Sequence, residues 1–92
     1  MRHPIQVTFF DMTTSTMKAI DSFDNIVGVG ENCKYNFVPI PHKGDVVNFA
    51  KDGEFDNPSQ NYKVIEVQYS YKHLFDPEYI FTYVKVFVVK KL

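Results

Sequence analysis

The sequence has little of several things that would narrow its reading quickly. It has no Trp, a single cysteine, four glycines, and a formal net charge of only −1. One cysteine, Cys33, forms no internal disulfide, so stability has to come from the packed core. No apolar run approaches the roughly 18 residues of a membrane-spanning helix, and residues 1–8 show no apolar stretch of the kind that opens a secretory leader. A soluble, cytoplasmic protein with no membrane partner is therefore expected. The near-neutral balance is uneven, with 5 Lys/Arg against 8 Asp/Glu in residues 1–60 and 5 against 3 in residues 61–92. Neither half has the basic footprint of a protein whose affinity comes from neutralising phosphates. At 92 residues the chain has room for one small core and none for a second, which excludes a two-domain enzyme.

What is present is apolar and aromatic. Nine Phe and six Tyr lie within a composition that is 45% hydrophobic and 23% charged, the reverse of a disordered chain. Residues 62–74 and 79–90 are dominated by β-branched and aromatic side chains and read as two long strands. Phe75-Asp76-Pro77-Glu78 between them has turn chemistry, so the pair is expected to form one long antiparallel hairpin. Alternation assigns the first strand one mostly apolar face, Ile65, Val67, Tyr69 and Tyr71, and one polar face from Glu66 onward. The second strand is apolar on both faces: Ile80, Val84, Val86 and Val88 on one, Phe81, Tyr83, Phe87 and Val89 on the other. Such a strand is either central in the fold or presents a binding surface.

Upstream, Ile5–Phe10 alternates as a strand, and the Thr13–Thr16 run is expected to turn the chain into a return strand over Ala19–Phe23. Residues 24–32 read as a glycine-punctuated connection with room for one brief strand. Residues 35–42 are an extended lead-in, because Pro39 and Pro41 push their predecessors out of the helical region. Lys43-Gly44-Asp45 makes a tight turn into a short strand at Val46–Ala50, expected to pair with the strand that starts at Tyr62, and residues 51–61 form an exposed loop.

The pattern Pro41-His42-Lys43-Gly44-Asp45-Val46-Val47, followed by Tyr62-Lys63-Val64-Ile65-Glu66-Val67, resembles small SH3-like β-barrels, in particular short uncharacterised proteins of bacteria and their phages. The likeness covers residues 35–92. It implies a fold with no activity attached, and it admits a small phage-derived product that joins virion parts or inhibits a host system.

The fold expected is all-β, a small, partly open five- or six-stranded SH3-like barrel in a single domain, residues 1–92. Residues 1–34 supply the N-terminal strand or hairpin and its connection, and residues 35–92 the barrel core with the long hairpin 62–90. Its expected core is Val7, Phe9, Phe37, Val46, Phe49, Val64, Ile65, Val67, Val84, Val86 and Val88.

Catalytic chemistry finds little footing. Cys33 with His3, His42 or His73 has no spacing that argues for a nucleophile and its base, and the three histidines stand singly, outside any metal-ligand spacing. Asp52, Glu54 and Asp56 do not place oxygens as a calcium loop does, and Gly28-Val29-Gly30 lacks the third glycine and helix of a phosphate-binding loop. No enzyme activity, metal or cofactor is expected. The function expected is a binding or assembly module acting on a protein partner or a second copy of itself. Its site is placed at Tyr69, Tyr71, Phe81, Tyr83, Lys85 and Phe87, on a hairpin with an unpaired edge guarded by Lys90 and Lys91. The alternative is a single-stranded nucleic acid stacked on the same aromatics beside the lysines.

Overall fold

The computed structural model describes residues 4–24, 39–50, 53–55, 58–75 and 78–91. Five strands form one sheet: β1 Ile5–Asp11, β2 Lys18–Asp24, β3 Val46–Asn48, β4 Asn61–Leu74 and β5 Tyr79–Lys90, with a short 3-10 turn at Pro58–Gln60 before β4. The spatial order is β2-β1-β5-β4-β3, curled strongly into an open half-barrel. All neighbours are antiparallel except β1 and β5, which run parallel from Ile5 beside Thr82 to Asp11 beside Val88. The expected small, partly open all-β barrel is thus the fold of this chain, with five strands.

The two long C-terminal strands pair over almost their whole length, Tyr62 with Lys90 through Leu74 with Tyr79. β4 spans about 45 Å at the usual strand rise, which accounts for the 47 Å long axis of the molecule. β5 lies at the centre of the sheet, and this explains why its sequence is apolar on both faces. Its inner face buries Val84, Val86 and Val88 completely, against Val7 and Phe9 of β1 and Tyr62 and Val64 of β4. Phe9 meets Phe23 and Phe49 edge to face, at ring-centroid distances of 6.0 Å and 5.1 Å, and Phe49 meets Tyr62 at 5.7 Å. Each geometry is of the favoured aromatic kind.

Two bulges adjust the faces. In β4 the register shifts between Val64 and Glu66, so that Ile65 and Glu66 together oppose Phe87. Tyr62 and Val64 before the bulge then share the inner face with Val67, Tyr69 and Tyr71 after it. Simple alternation fails here, and Ile65, expected in the core, is exposed. Val46 is the second correction: at the outermost strand it has a neighbour on one side only among the described residues, and it is half exposed. Tyr62 is buried in their place. Phe37 lies outside the described residues. In β2 the shift falls opposite Phe9 and Phe10 and leaves Ile20 as the extra residue, packed partly against the core.

Turn chemistry holds the sheet at both ends. Gly44 has φ of 96°, open to glycine and strained for other residues. The Asp45 carboxylate accepts a bond of 2.7 Å from the His42 amide, and the Asp45 amide donates to the His42 carbonyl. The same turn continues the β3–β4 ladder: Gly44 N–H donates to the Val64 carbonyl and Val64 N–H to the Asp45 carbonyl, each at 2.9 Å. At the β1–β2 turn, the Asp11 carboxylate accepts from the Thr13 amide and hydroxyl, while the Thr13 hydroxyl oxygen accepts the Lys90 amide at 2.8 Å. That last bond ties the N-terminal hairpin to the end of β5.

Candidate functional site

The register of β4 on β5 decides where the expected site residues go, because residues opposite each other in a ladder share a face. Tyr69 sits opposite Val84 and Tyr71 opposite Thr82, so both tyrosines are on the inner face of the sheet. Phe81 lies opposite Lys72, Tyr83 opposite Ser70, and Phe87 opposite Glu66, so these aromatics are on the outer face, and Lys85, opposite Gln68, joins them. The six residues do not converge on one site; the sheet divides them.

Three of the four outer residues are already partnered within the molecule. Phe87 stacks on Phe10 of β1 at 5.8 Å between ring centroids and 26° between planes, and the Lys85 ammonium lies 5.7 Å from the centre of the Tyr83 ring. Phe81, Tyr83, Lys85 and Phe87 are each half-buried. The free edge expected for the second long strand is absent over Thr82–Val88, where β1 pairs with it. Lys90 and Lys91 therefore guard no open edge at that stretch. The Lys90 amide bonds to Thr13 and the Lys91 amide to the Asn61 carbonyl.

The inner group is different. Pairing of β1 with β5 begins at Ile5 beside Thr82, where the Thr82 amide also donates to the Pro4 carbonyl at 3.0 Å. Toward the hairpin tip the ribbon has two strands among the described residues. Its inner face consequently passes from core to surface: Val84 is fully buried, Tyr69 is 46% exposed, Tyr71 70% and Ile80 43%. Tyr69 and Tyr71 stack at 6.4 Å with their rings 10° from parallel. Past them, His73 Nε2 lies 2.9 Å from Glu78 Oε2 across the tip, and the His73 ring lies 4.2 Å from the ring of Phe75, itself 72% exposed. Sequence reasoning missed Ile80, His73 and Phe75. Ile80 opposes His73 and shares the face of Tyr71 and Thr82, a relation visible only once the register of β4 on β5 is known.

The backbone edge of β4 is the other feature of this region. β3 pairs only with Asn61–Lys63, and the Gly44–Asp45 turn takes the outward amide and carbonyl of Val64. From Glu66 to Leu74 the outer edge of β4 has no strand beside it among the described residues.

Cys33, His3, Asp52, Asp56 and Gly28-Val29-Gly30 lie outside the described residues. Of the other chemical candidates, His42 stands exposed with its Nδ1 3.9 Å from Asp45, and Glu54 lies on an exposed segment. Among the described residues no three His, Cys, Asp or Glu side chains gather where a metal ion could be held, and no helix is long and apolar enough to cross a membrane. The chain has no significant match among protein-family models, curated proteins or solved structures.

Proposed function

We propose that the chain is a non-enzymatic protein-binding or assembly module, and that it binds through the distal half of the β4–β5 hairpin. One observation carries this reading. A two-stranded ribbon extends past β1 and displays Tyr69, Tyr71 and Ile80 on one face, with Phe75 at the tip. Aromatic side chains that are exposed, contiguous and carried on paired strands are the anchors from which protein contacts are made. The site is thereby narrowed from the six residues suggested by the sequence to the inner-face group, and Phe81, Tyr83, Lys85 and Phe87 become part of the support.

A single-stranded nucleic acid would need stacking rings and cations on the same face. The open rings of Tyr69 and Tyr71 face away from Lys63, Lys72 and Lys85, which oppose Val89, Phe81 and Gln68 on the outer side. Of the outer rings that do lie among lysines, Phe87 stacks on Phe10, Tyr83 lies beside the Lys85 ammonium, and Phe81 is half-buried. Protein contact is favoured for that reason.

A photoreactive phenylalanine analogue introduced at Tyr71, with the same analogue at exposed Thr14 as control, tests the proposal in cells. A protein adduct formed from position 71 and not from position 14 is the expected result. Equal labelling at both positions, or an adduct with nucleic acid alone, would remove it.

A further inference from the structure

The edge of β4 points to what the hairpin binds. Exposed strand edges invite pairing with another chain, and proteins blunt them with charges, proline or bulges. The opposite edge of the sheet, β2, has such protection: Lys18 and Asp21, with the bulge at Ile20 between them. The run of β4 with no strand beside it among the described residues, 66–74, has no proline and no register shift after Glu66, and its only formal charges are Glu66 and Lys72. Both of those side chains lie on the outer face and are exposed, and neither has an ion-pair partner among the described residues.

Their positions are self-complementary. In an antiparallel pair of two identical strands related by a two-fold axis, one residue faces its own copy and its neighbours pair symmetrically about it. With the axis at Tyr69, Glu66 falls opposite Lys72 of the second copy and Lys72 opposite Glu66. On the inner face the same register sets Tyr69 against Tyr69 and Val67 against Tyr71, which makes a cluster of four tyrosines from the most exposed rings of the strand. Moving the axis to Ser70 sets Glu66 against Leu74 and Lys72 against Gln68, and both ion pairs are lost. Opposite charges and aromatic pairs directly across a ladder stabilise it, and like charges there oppose it.

We infer that the partner of the hairpin is a second copy of this chain, joined edge to edge through Glu66–Lys72 of β4 in the register centred on Tyr69, so that two half-barrels share one continuous sheet. This rests on the hairpin being the contact surface and adds the occupant, the edge and the register. The paired stretch stops short of Val64, where the Gly44–Asp45 turn already occupies the edge.

Sedimentation of the purified chain over a concentration series tests it, with Glu66→Lys, Lys72→Glu and the double charge swap, each checked for a native circular dichroism spectrum. The dimer is expected to weaken about tenfold in either single variant, because two attractive pairs become two repulsive ones. It should return in the double swap. It should also form between the two single variants when they are mixed, since every facing pair is then opposite in charge. A monomer at all concentrations, or a dimer indifferent to these changes, overturns the inference. The adduct formed from position 71 separates the two failures: a monomer that still crosslinks to a different protein ends the self-pairing alone, and a monomer with no protein adduct ends the contact reading with it.

Discussion

At the scale of single residues, Asp11 shows how one polar side chain joins distant parts of the chain. The hydroxyl of Thr13 holds the Asp11 carboxyl below the usual carboxylate range; partial burial opposes this, and the Thr13 amide and the charges of Lys90 and Lys18 reinforce it. A carboxyl lowered in the folded state stabilises the fold above its unfolded value of 3.8, and the contribution is lost as pH falls through the lower folded value. Urea midpoints at about pH 7 and about pH 2.5 are therefore expected to differ less in Asp11→Asn than in the parent. An equal acid loss in both would show that Asp11 has no part in it. At the other end of the scale, burial raises the Tyr62 hydroxyl above its ordinary value of 10.0 and the Asp11 charge adds to the rise. Nothing in the Asp11-Met12-Thr13 sequence announces a bond to Lys90, because that bond depends on β1 lying beside β5.

At the scale of elements, the bulge in β4 decides which side chains reach the core. The strand is legible from its β-branched and aromatic residues, and its bounds fall within one residue of those expected from the sequence. Its inner face is legible only on either side of Ile65. Tyr62 and Val64 are one phase and Val67, Tyr69 and Tyr71 the other, and only the ladder with β5 joins them. Val64→Ala is accordingly expected to cost about 2 kcal/mol, from lost burial and a residual cavity. Ile65→Thr should stay within about 0.5 kcal/mol, as surface changes do. Urea unfolding of the two variants measures the contrast, and a costly Ile65→Thr beside a tolerated Val64→Ala would place the bulge elsewhere. The Gly44 turn, by contrast, was fully legible. Glycine at a positive φ and an aspartate bonded back to the chain are local chemistry, and local chemistry survives whatever the rest of the molecule does.

At the scale of the whole molecule, the parallel pairing of β1 with β5 joins residues near the two ends of the sequence. Hydrogen exchange should follow that arrangement. The amides of Val84–Val88, bracketed by β1 and β4, are expected to exchange slowest, and those of Lys72–Leu74 and Tyr79–Ile80 at the hairpin end fastest. Comparable protection at the tip and the centre would contradict a ribbon that extends beyond its third strand. The candidate site follows the same logic. Six residues on two adjacent strands look like one patch in the sequence; the sheet sends Tyr69 and Tyr71 to one side and Phe81, Tyr83, Lys85 and Phe87 to the other.

The sequence by itself determined that the chain is a single all-β unit, that its last third is a long hairpin, and where its tight turn lies. Each of these follows from intrinsic preference, from alternation over a short window, or from the dihedral freedom of one glycine. Tertiary structure decided that the doubly apolar β5 is central, that Tyr62 replaces Ile65 in the core, and that the aromatics of the hairpin divide between an open face and a partnered one. The physical reason is that an antiparallel ladder carries side-chain direction from one strand to the next, so a single unpaired residue changes which face every later residue shares.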